Sequence, residues 1–447
     1  MHEIPVLPAA ATSGSATSGS ATLGARPSAG PGATAAGLTG WAIAATVAGN
    51  ALEFYDFLAY STFATYIGRA FFPVSNGLAN LLLALATFGV GFVTRPLGGL
   101  LIGAYADRAG RRPALTLTIA LMTIGTLALV ATPTYAAIGV AAPLILIAAR
   151  LVQGLALGGE VGPATAVLLE CAPPGRRGQL VSWQNASQGL AILAAGIVGT
   201  TLSHLLEPEQ LRAWGWRIPF ALGLAIVPVG FYLRRRLPET LEHPGTHGSA
   251  AVLRLLWGRQ RRSLLLTVMI IMCLTVSTYV TNYMTTFALT TLGMAARQAM
   301  WATIANGALM ALGAVWGGRL CDRFGRKATM MLPRIALTFA VYPAFFLLVH
   351  HPGTLMLVAV TGSLTFTAVL GGAAALTAIT ESFPNATRSS GLAISYATSV
   401  AVFGGTTQFV IAWLISVSGD PLSPAYYVIL TSLVSLWAMA KLPAAAD

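Results

Sequence analysis

Two carboxylates, Glu53 and Asp56, lie three residues apart inside the apolar stretch WAIAATVAGNALEFYDFLAYSTFATYI, residues 41–67. That spacing puts both on one face of a helix, and Thr46, Gly49, Asn50 and Tyr60 extend the same polar stripe. A charged group at mid-depth in a bilayer is costly, so it is by default a functional residue with a partner to be named. Three more charges sit in long apolar runs: Arg95 in VTRPLGG, Arg150 in IAARLVQG, and Glu160 ten residues beyond Arg150.

The types of these residues limit what they do. A guanidinium offers two parallel donors that match two carboxylate oxygens. Arg150, with Gln153 and Gly154 on its own face, therefore either binds a carboxylate on a ligand or pairs permanently with Glu53 or Asp56. Arg95 is a second candidate for ligand contact. With Glu160 it forms, alternatively, an ion pair nearer the inner surface that breaks in one conformation. A carboxyl in a low-dielectric site is the group that can exchange a proton near neutrality, so Glu53, Asp56 and Glu160 are candidate proton carriers; the alternative is that they only hold helices together. Gln184 with Gln188, and Tyr279 with Asn282 and Tyr283, are polar clusters that contact a ligand or hydrogen-bond between helices. Tyr396 belongs with them.

The elements that must position these groups are membrane spans. Of 447 residues 55% are hydrophobic and only 9% charged, with mean hydropathy +0.73; soluble domains carry roughly 25% charged residues. Cys171, Cys273 and Cys321 are too far apart in sequence for a thiolate metal site or a short redox motif, and the histidines form no HExxH pair. Lysine occurs only at Lys327 and Lys441, neither after glycine, so the sequence holds no phosphate-binding loop of the Walker type. The net charge of +12 resides in short clusters between apolar runs, not in one patch. Basic cytoplasmic loops explain that distribution without nucleic acid.

Apolar runs long enough to cross a bilayer fall near 40–64, 78–104, 113–132, 139–169, 182–203, 216–234, 264–290, 298–319, 328–349, 354–379, 389–417 and 424–440. The expectation is an all-α membrane protein of twelve transmembrane helices. Residues 1–38, rich in Ala, Ser, Thr, Gly and Pro, are expected as a disordered cytoplasmic tail, without the pattern of a signal peptide. With the tail inside, the loops on its side hold 17 Arg and Lys residues; the opposite loops hold 4, namely Arg69, Arg212, Arg217 and Arg297. Both termini are therefore expected in the cytoplasm. Trp214 and Trp216 suit an interfacial aromatic belt on the other side.

The chain also repeats itself. GAYADRAGRR (103–112) and GRLCDRFGRK (318–327) share G-x3-D-R-x-G-R-[RK] at an offset of 215 residues. A second pair, Glu170-x2-Pro173-x3-Arg177 and Glu381-x2-Pro384-x3-Arg388, repeats at 211. Each pair joins equivalent spans, which divides the chain into a six-helix bundle at 39–234, a basic cytoplasmic linker at 235–262 and a second six-helix bundle at 263–441. Two pseudo-symmetric halves of this kind are the architecture of transporters that rock around a central site. Asp107, Arg108, Arg111 and Arg112, with Asp322, Arg323, Arg326 and Lys327, then read as a cytoplasmic gate of salt bridges, or as topology determinants alone. Glu170, Arg177, Glu381 and Arg388 read as its supporting layer.

These motifs resemble the major facilitator superfamily. GNALEFYDF, AFFP, RPLGGLLIG, RLVQGLALGGE, WGWRIPF, RRRLPET and VFGGTT are similar to its metabolite:proton symporters, and GRRGQLVSWQNASQGLAIL with Arg150 looks closest to the citrate and tricarballylate permeases. Gln408 departs from the resemblance, standing where many relatives have proline. The resemblance implies the major facilitator fold, no enzymatic activity, and proton-coupled uptake of a small di- or tricarboxylate. A zwitterionic osmolyte such as betaine or proline, or shikimate, is the alternative substrate. It implies the inner (plasma) membrane as location, the proton as coupling ion without another cofactor, and a functional monomer. Energetics agree: an anion entering against 100 mV is opposed by about 2.3 kcal/mol per charge, which co-transported protons cancel.

Overall fold

The computed structural model describes residues 33–72, 74, 76–109, 111–158, 168, 172, 173, 175–235, 260–383 and 388–442. Among them, ten helices are long and apolar enough to cross a membrane. The long first helix and one carrying the shorter apolar stretch Thr116–Ala131 complete twelve rods. In the first half these are α1 (Ala33–Thr62), α2 (Gly77–Ile102), α3 (Arg111–Ala131), α4 (Ala141–Gly158), α5 (Arg177–Leu205) and α6 (Ile218–Arg235). In the second they are α7 (Arg261–Thr290), α8 (Ala296–Phe324), α9 (Arg326–His350), α10 (Thr354–Ile379), α11 (Ile394–Ser418) and α12 (Ser423–Lys441).

Helix α1 starts at Ala33, inside the segment expected as tail. The run ATAA ahead of the first apolar residues carries good helix formers and lets the helix propagate back into the polar segment. The expected linker 235–262 lies mostly outside the described residues; α7 starts at Arg261.

Local chemistry sets several boundaries. Asn76 caps α2 by accepting from the Leu78 N–H at 2.9 Å. Gly325, the glycine of D-R-F-G-R, takes φ 80°, and its N–H bonds to the Cys321 carbonyl at 3.1 Å. That left-handed turn lets α9 begin at the next residue, and a side chain there would be strained.

Within the first half α1 packs against α5 and α6, and α3 against α4 and α6; in the second, α8 packs against α10, and α9 against α10 and α12. Across the halves α5 lies along α8. A Cβ on Gly189 would fall 2.5 Å from the Ala311 nitrogen, and one on Gly307 would fall 2.2 Å from that of Leu193, so the two backbones touch at mid-length. Helix α2 meets α11 where a π turn, Val400–Gly404, brings Gly405 against Gly89. Small residues at such crossings replace the hydrophobic effect with close van der Waals contact.

Candidate functional site

Close packing of α2 on α4 puts Arg95 and Arg150 side by side. The glycines of RLVQGLALGG meet α2 backbone: a Cβ on Gly154 would fall 1.7 Å from the Gly91 carbonyl oxygen, and one on Gly158 would fall 2.0 Å from that of Arg95. Thr94 Oγ1 donates to the Leu151 carbonyl at 2.8 Å and fixes the register. Both guanidiniums then stand over the ring of Phe57 on α1, Arg95 at 4.5 Å and Arg150 at 4.9 Å from its centroid. Arg95 also lies 4.0 Å from the Phe92 ring, and Arg150 lies 3.8 Å from that of Tyr60 and 5.4 Å from that of Phe88. Tyr279 of α7 flanks Arg95, with Tyr396 of α11 facing it.

The two cations are almost wholly buried, yet their donors are underused. Arg150 is 0% and Arg95 5% exposed. Arg150 Nη1 donates to Gln153 Oε1 at 2.6 Å, while its Nε and Nη2 have no hydrogen-bond partner; nor do Nε and Nη2 of Arg95. Stacking on aromatic rings is worth about 0.5–2 kcal/mol. A buried donor left unmade costs about 1–3 kcal/mol, more when charged. The unused donors suit a ligand that offers several oxygen acceptors.

The carboxylates of α1 lie near this pair without forming an ion pair with it. Asp56, 4% exposed, accepts from Thr126 Oγ1 at 2.8 Å. Thr126 Oγ1 in turn accepts from Gln153 Nε2 at 2.9 Å. A hydrogen-bonded chain Arg150–Gln153–Thr126–Asp56 thus crosses from α4 through α3 to α1. The second Asp56 oxygen faces Gly223 of α6, where a Cβ would fall 2.0 Å away. Glu53, 3% exposed, accepts from Thr118 Oγ1 at 3.2 Å. Both carboxylates face α3, consistent with the shared stripe.

Thr126 and Thr118 were absent from the residues singled out in the sequence. Their signal is the polar face of α3, on which residues eight apart align. Arg334 was missed too: it is 3% exposed in α9, and its Nη1 donates to Ser277 Oγ of α7 at 2.8 Å. Its mark in the sequence is a lone charge inside the run 328–349.

The other candidates separate. Gln184 donates to Asn50 Oδ1 at 3.1 Å, and Asn50 Nδ2 donates to Ser187 Oγ at 2.5 Å, so Gln184 clamps α5 to α1. Gln188 is half-buried on α5, with no hydrogen bond among the described residues. Asn282 accepts from Asn306 Nδ2 at 2.6 Å and joins α7 to α8. Tyr283 is buried in the second half's core and touches a cavity at the face opposite the D-R-x-G-R repeats. Gln408, where the resemblance has proline, donates to Ser61 Oγ at 2.6 Å and ties α11 to α1 just beyond Tyr60. Trp216 departs from the expected belt: it is 0% exposed and packs edge-on against Phe71 and Phe220, because the 3-10 turn Gly215–Arg217 ahead of α6 points it inward, while Trp214 is 48% exposed.

At the face that carries the D-R-x-G-R repeats Asp322 reaches across the halves. Its oxygens accept from the backbone N–H of Gly178 at 2.8 Å and of Gln179 at 2.9 Å, so it caps α5 from the end of α8. Its partner is a helix N-terminus in place of the expected arginine, because the first-turn N–H groups lack intrahelical acceptors. Arg323 lies over the Phe324 ring at 5.2 Å, Arg177 is exposed, and Arg326 opens α9. Glu160 and Glu170 lie outside the described residues, as do the side chains of Asp107, Arg108, Arg111, Arg112, Glu381 and Arg388. At the opposite face a cavity of about 1110 Å³ opens between the halves, lined in part by Thr65, Tyr66, Leu81, Tyr283 and Ile415.

Residues 42–405 match the model of the Major Facilitator Superfamily. The citrate-proton symporter of Klebsiella pneumoniae is 37% identical over 91% of this chain and 92% of its own. A glycine betaine/proline/ectoine/pipecolic acid transporter of Dickeya dadantii is 34% identical over 88% of this chain and 81% of its own. Among solved structures, the xylose transporter of E. coli, partially occluded and inward open, superposes with TM-score 0.70 at 18% identity, covering 91% of this chain and 98% of that one.

Proposed function

Because this chain belongs to the major facilitator superfamily, we propose that it imports a small di- or tricarboxylate, citrate or a close relative, together with protons by alternating access. The observation that carries this reading is the pair of buried guanidiniums on the Phe57 ring with donors unused. A polycarboxylate supplies several acceptors at once and removes the cost of the unmade bonds. The citrate-proton symporter named above supports the same substrate class.

Betaine is the substrate class to weigh against it. A quaternary ammonium is recognised by an aromatic cage. Here the faces of Phe57, Tyr60, Phe88 and Phe92 are covered by arginines, and a cationic head would meet two like charges.

Proton coupling runs through Asp56 in this reading. With Asp56 ionised, Thr126 gives its hydrogen to Asp56. With Asp56 protonated, the carboxyl donates to Thr126 Oγ1, and the threonine turns its own hydrogen to the Met122 carbonyl, already 3.0 Å away. Either way Gln153 keeps its acceptor, while the charge facing Arg150 changes. Loading the proton and binding the anion then favour each other. Glu53 is a second proton carrier in the same face. Return to the inner side breaks the Asp322 cap, and the contact of α5 with α8 serves as the rocking axis. In this reading the protein acts as a monomer in the inner membrane with both termini in the cytoplasm, an orientation that the excess of basic residues on one side supports.

A thermal-shift panel of citrate, tricarballylate, 2-oxoglutarate, shikimate and betaine on purified protein tests the substrate class. A specific ligand at a hundredfold excess over its Kd stabilises by about 2.7 kcal/mol. The expected responders are the tricarboxylates; a shift with betaine and none with a carboxylate would sink the reading.

A further inference from the structure

Basic residues are scarce on the outer face, and most of them converge. Outside the membrane opposite the D-R-x-G-R loops the sequence has four arginines: Arg69, Arg212, Arg217 and Arg297. Arg217 is committed to structure, with Nη2 donating to the Thr132 carbonyl at 2.9 Å and its guanidinium 4.5 Å from the Trp216 ring. The other three all line the outer cavity of about 1110 Å³, which lies between the halves. They come from three separate connections: Arg69 after α1, Arg212 between α5 and α6, and Arg297 at the start of α8.

None of the three has a hydrogen-bond or ion-pair partner among the described residues. The one acidic residue lining the cavity is Glu207, and its carboxylate is already used, capping the short helix Pro208–Ala213 by accepting from a backbone N–H. Arg69 and Arg212 flank Tyr66. Loop arginines on this face work against the charge asymmetry that orients the chain, so their gathering at one mouth calls for a reason.

We propose that this vestibule is a first binding site for the anionic substrate, a small polycarboxylate, held by Arg69, Arg212 and Arg297 before it reaches Arg95 and Arg150. The inference rests on the carboxylate reading above. A charged cleft with low-dielectric walls concentrates ions of opposite sign and raises their capture rate about 10–1000-fold. The path inward is short: on α1 and the helix after it, the lining residue Thr65 lies four residues past the Ser61–Gln408 tie. On α7, Tyr283 lines the cavity one turn from Tyr279, which flanks Arg95. Polycarboxylate captured in the vestibule thus waits one layer above the central site.

The test is initial uptake of radiolabelled citrate by cells producing the full chain, measured across ionic strengths that shorten the Debye length from about 30 Å to about 8 Å. Wild type is expected to show KM rising steeply with salt. In Arg69→Gln/Arg212→Gln/Arg297→Gln, KM at low salt is expected to rise about tenfold, its salt dependence to flatten, and kcat to stay unchanged. Lysine at all three positions retains the slope, since it keeps the charge. If the triple glutamine variant fails to insert, the three single variants carry the test, each flattening part of the slope. A glutamine variant with wild-type KM and salt dependence overturns the vestibule site while leaving the carboxylate reading intact. Wild-type cells that take up no polycarboxylate overturn that reading, and this inference with it.

Discussion

Thr126 is where the chemistry of single residues is most exposed to test. Its hydroxyl is the only atom through which Asp56 and Gln153 meet in the described structure, with both contacts below 3.0 Å. Thr126→Val keeps the shape and removes the relay. Citrate exchange across the membrane is expected to survive, while accumulation driven by a proton gradient falls at least tenfold; Thr126→Ser restores it. Accumulation unchanged in the valine variant would remove Thr126 from the coupling path. Gly223 offers a steric counterpart. In Gly223→Ala the new methyl meets the Asp56 carboxylate, an overpacking expected to cost about 1–3 kcal/mol and to abolish proton-driven uptake. Glu53, Asp56, Arg95 and Arg150 were legible in the sequence as charges inside apolar runs, a signal that Arg334 also carries and that was passed over there. Thr126 was not, since threonines are common in apolar helices and only the fold tells which one bridges two charges.

At the scale of elements, the repeat D-R-x-G-R marked a residue that joins the halves, Asp322, but not its partner. The sequence suggests pairing of opposite charges; the structure uses the Asp322 carboxylate to cap α5. Backbone donors carry no sequence signature, so such a contact is invisible before folding. Two charge-assisted bonds at a helix N-terminus are worth about 1–3 kcal/mol. Asp322→Asn is therefore expected to shift the resting population toward the inward-open state. Cys321, buried at 5% exposure beside that contact, reports it: with Cys171 and Cys273 replaced by serine, maleimide labelling of Cys321 is expected to speed several-fold. An unchanged rate would mean the cap does not hold the gate. Span count and order were readable from hydropathy. The α1 boundary was not, because an Ala-rich polar segment suits a tail and a helix equally.

Across the whole molecule, the first half contributes Glu53, Asp56 and the Arg95–Arg150 pair, and the second half, which buries Arg334 on its own, closes over that pair. Asp56, Arg95 and Arg150 all belong to α1, α2 and α4, while α7 and α11 bring Tyr279 and Tyr396 to Arg95, and Gln408 of α11 ties to Ser61 on α1. Asp322 joins the halves at the face of the D-R-x-G-R repeats, a cavity opens at the opposite face, and the arginine pair is buried. The internal repeat made this division legible; which polar residues face the centre was not, since Gln184 and Asn282 serve as interhelical clamps once folded. The central claim is that a polycarboxylate takes up the unused donors of Arg95 and Arg150 and moves with protons. It is tested most directly by labelled citrate and labelled betaine uptake into proteoliposomes, under an imposed inward proton gradient. The account predicts that citrate accumulates above its equilibrium level only when the gradient is present, and that Arg150→Lys, which loses the planar fork, lowers this at least tenfold. Betaine accumulation without citrate accumulation, or citrate entry indifferent to the gradient, would contradict it.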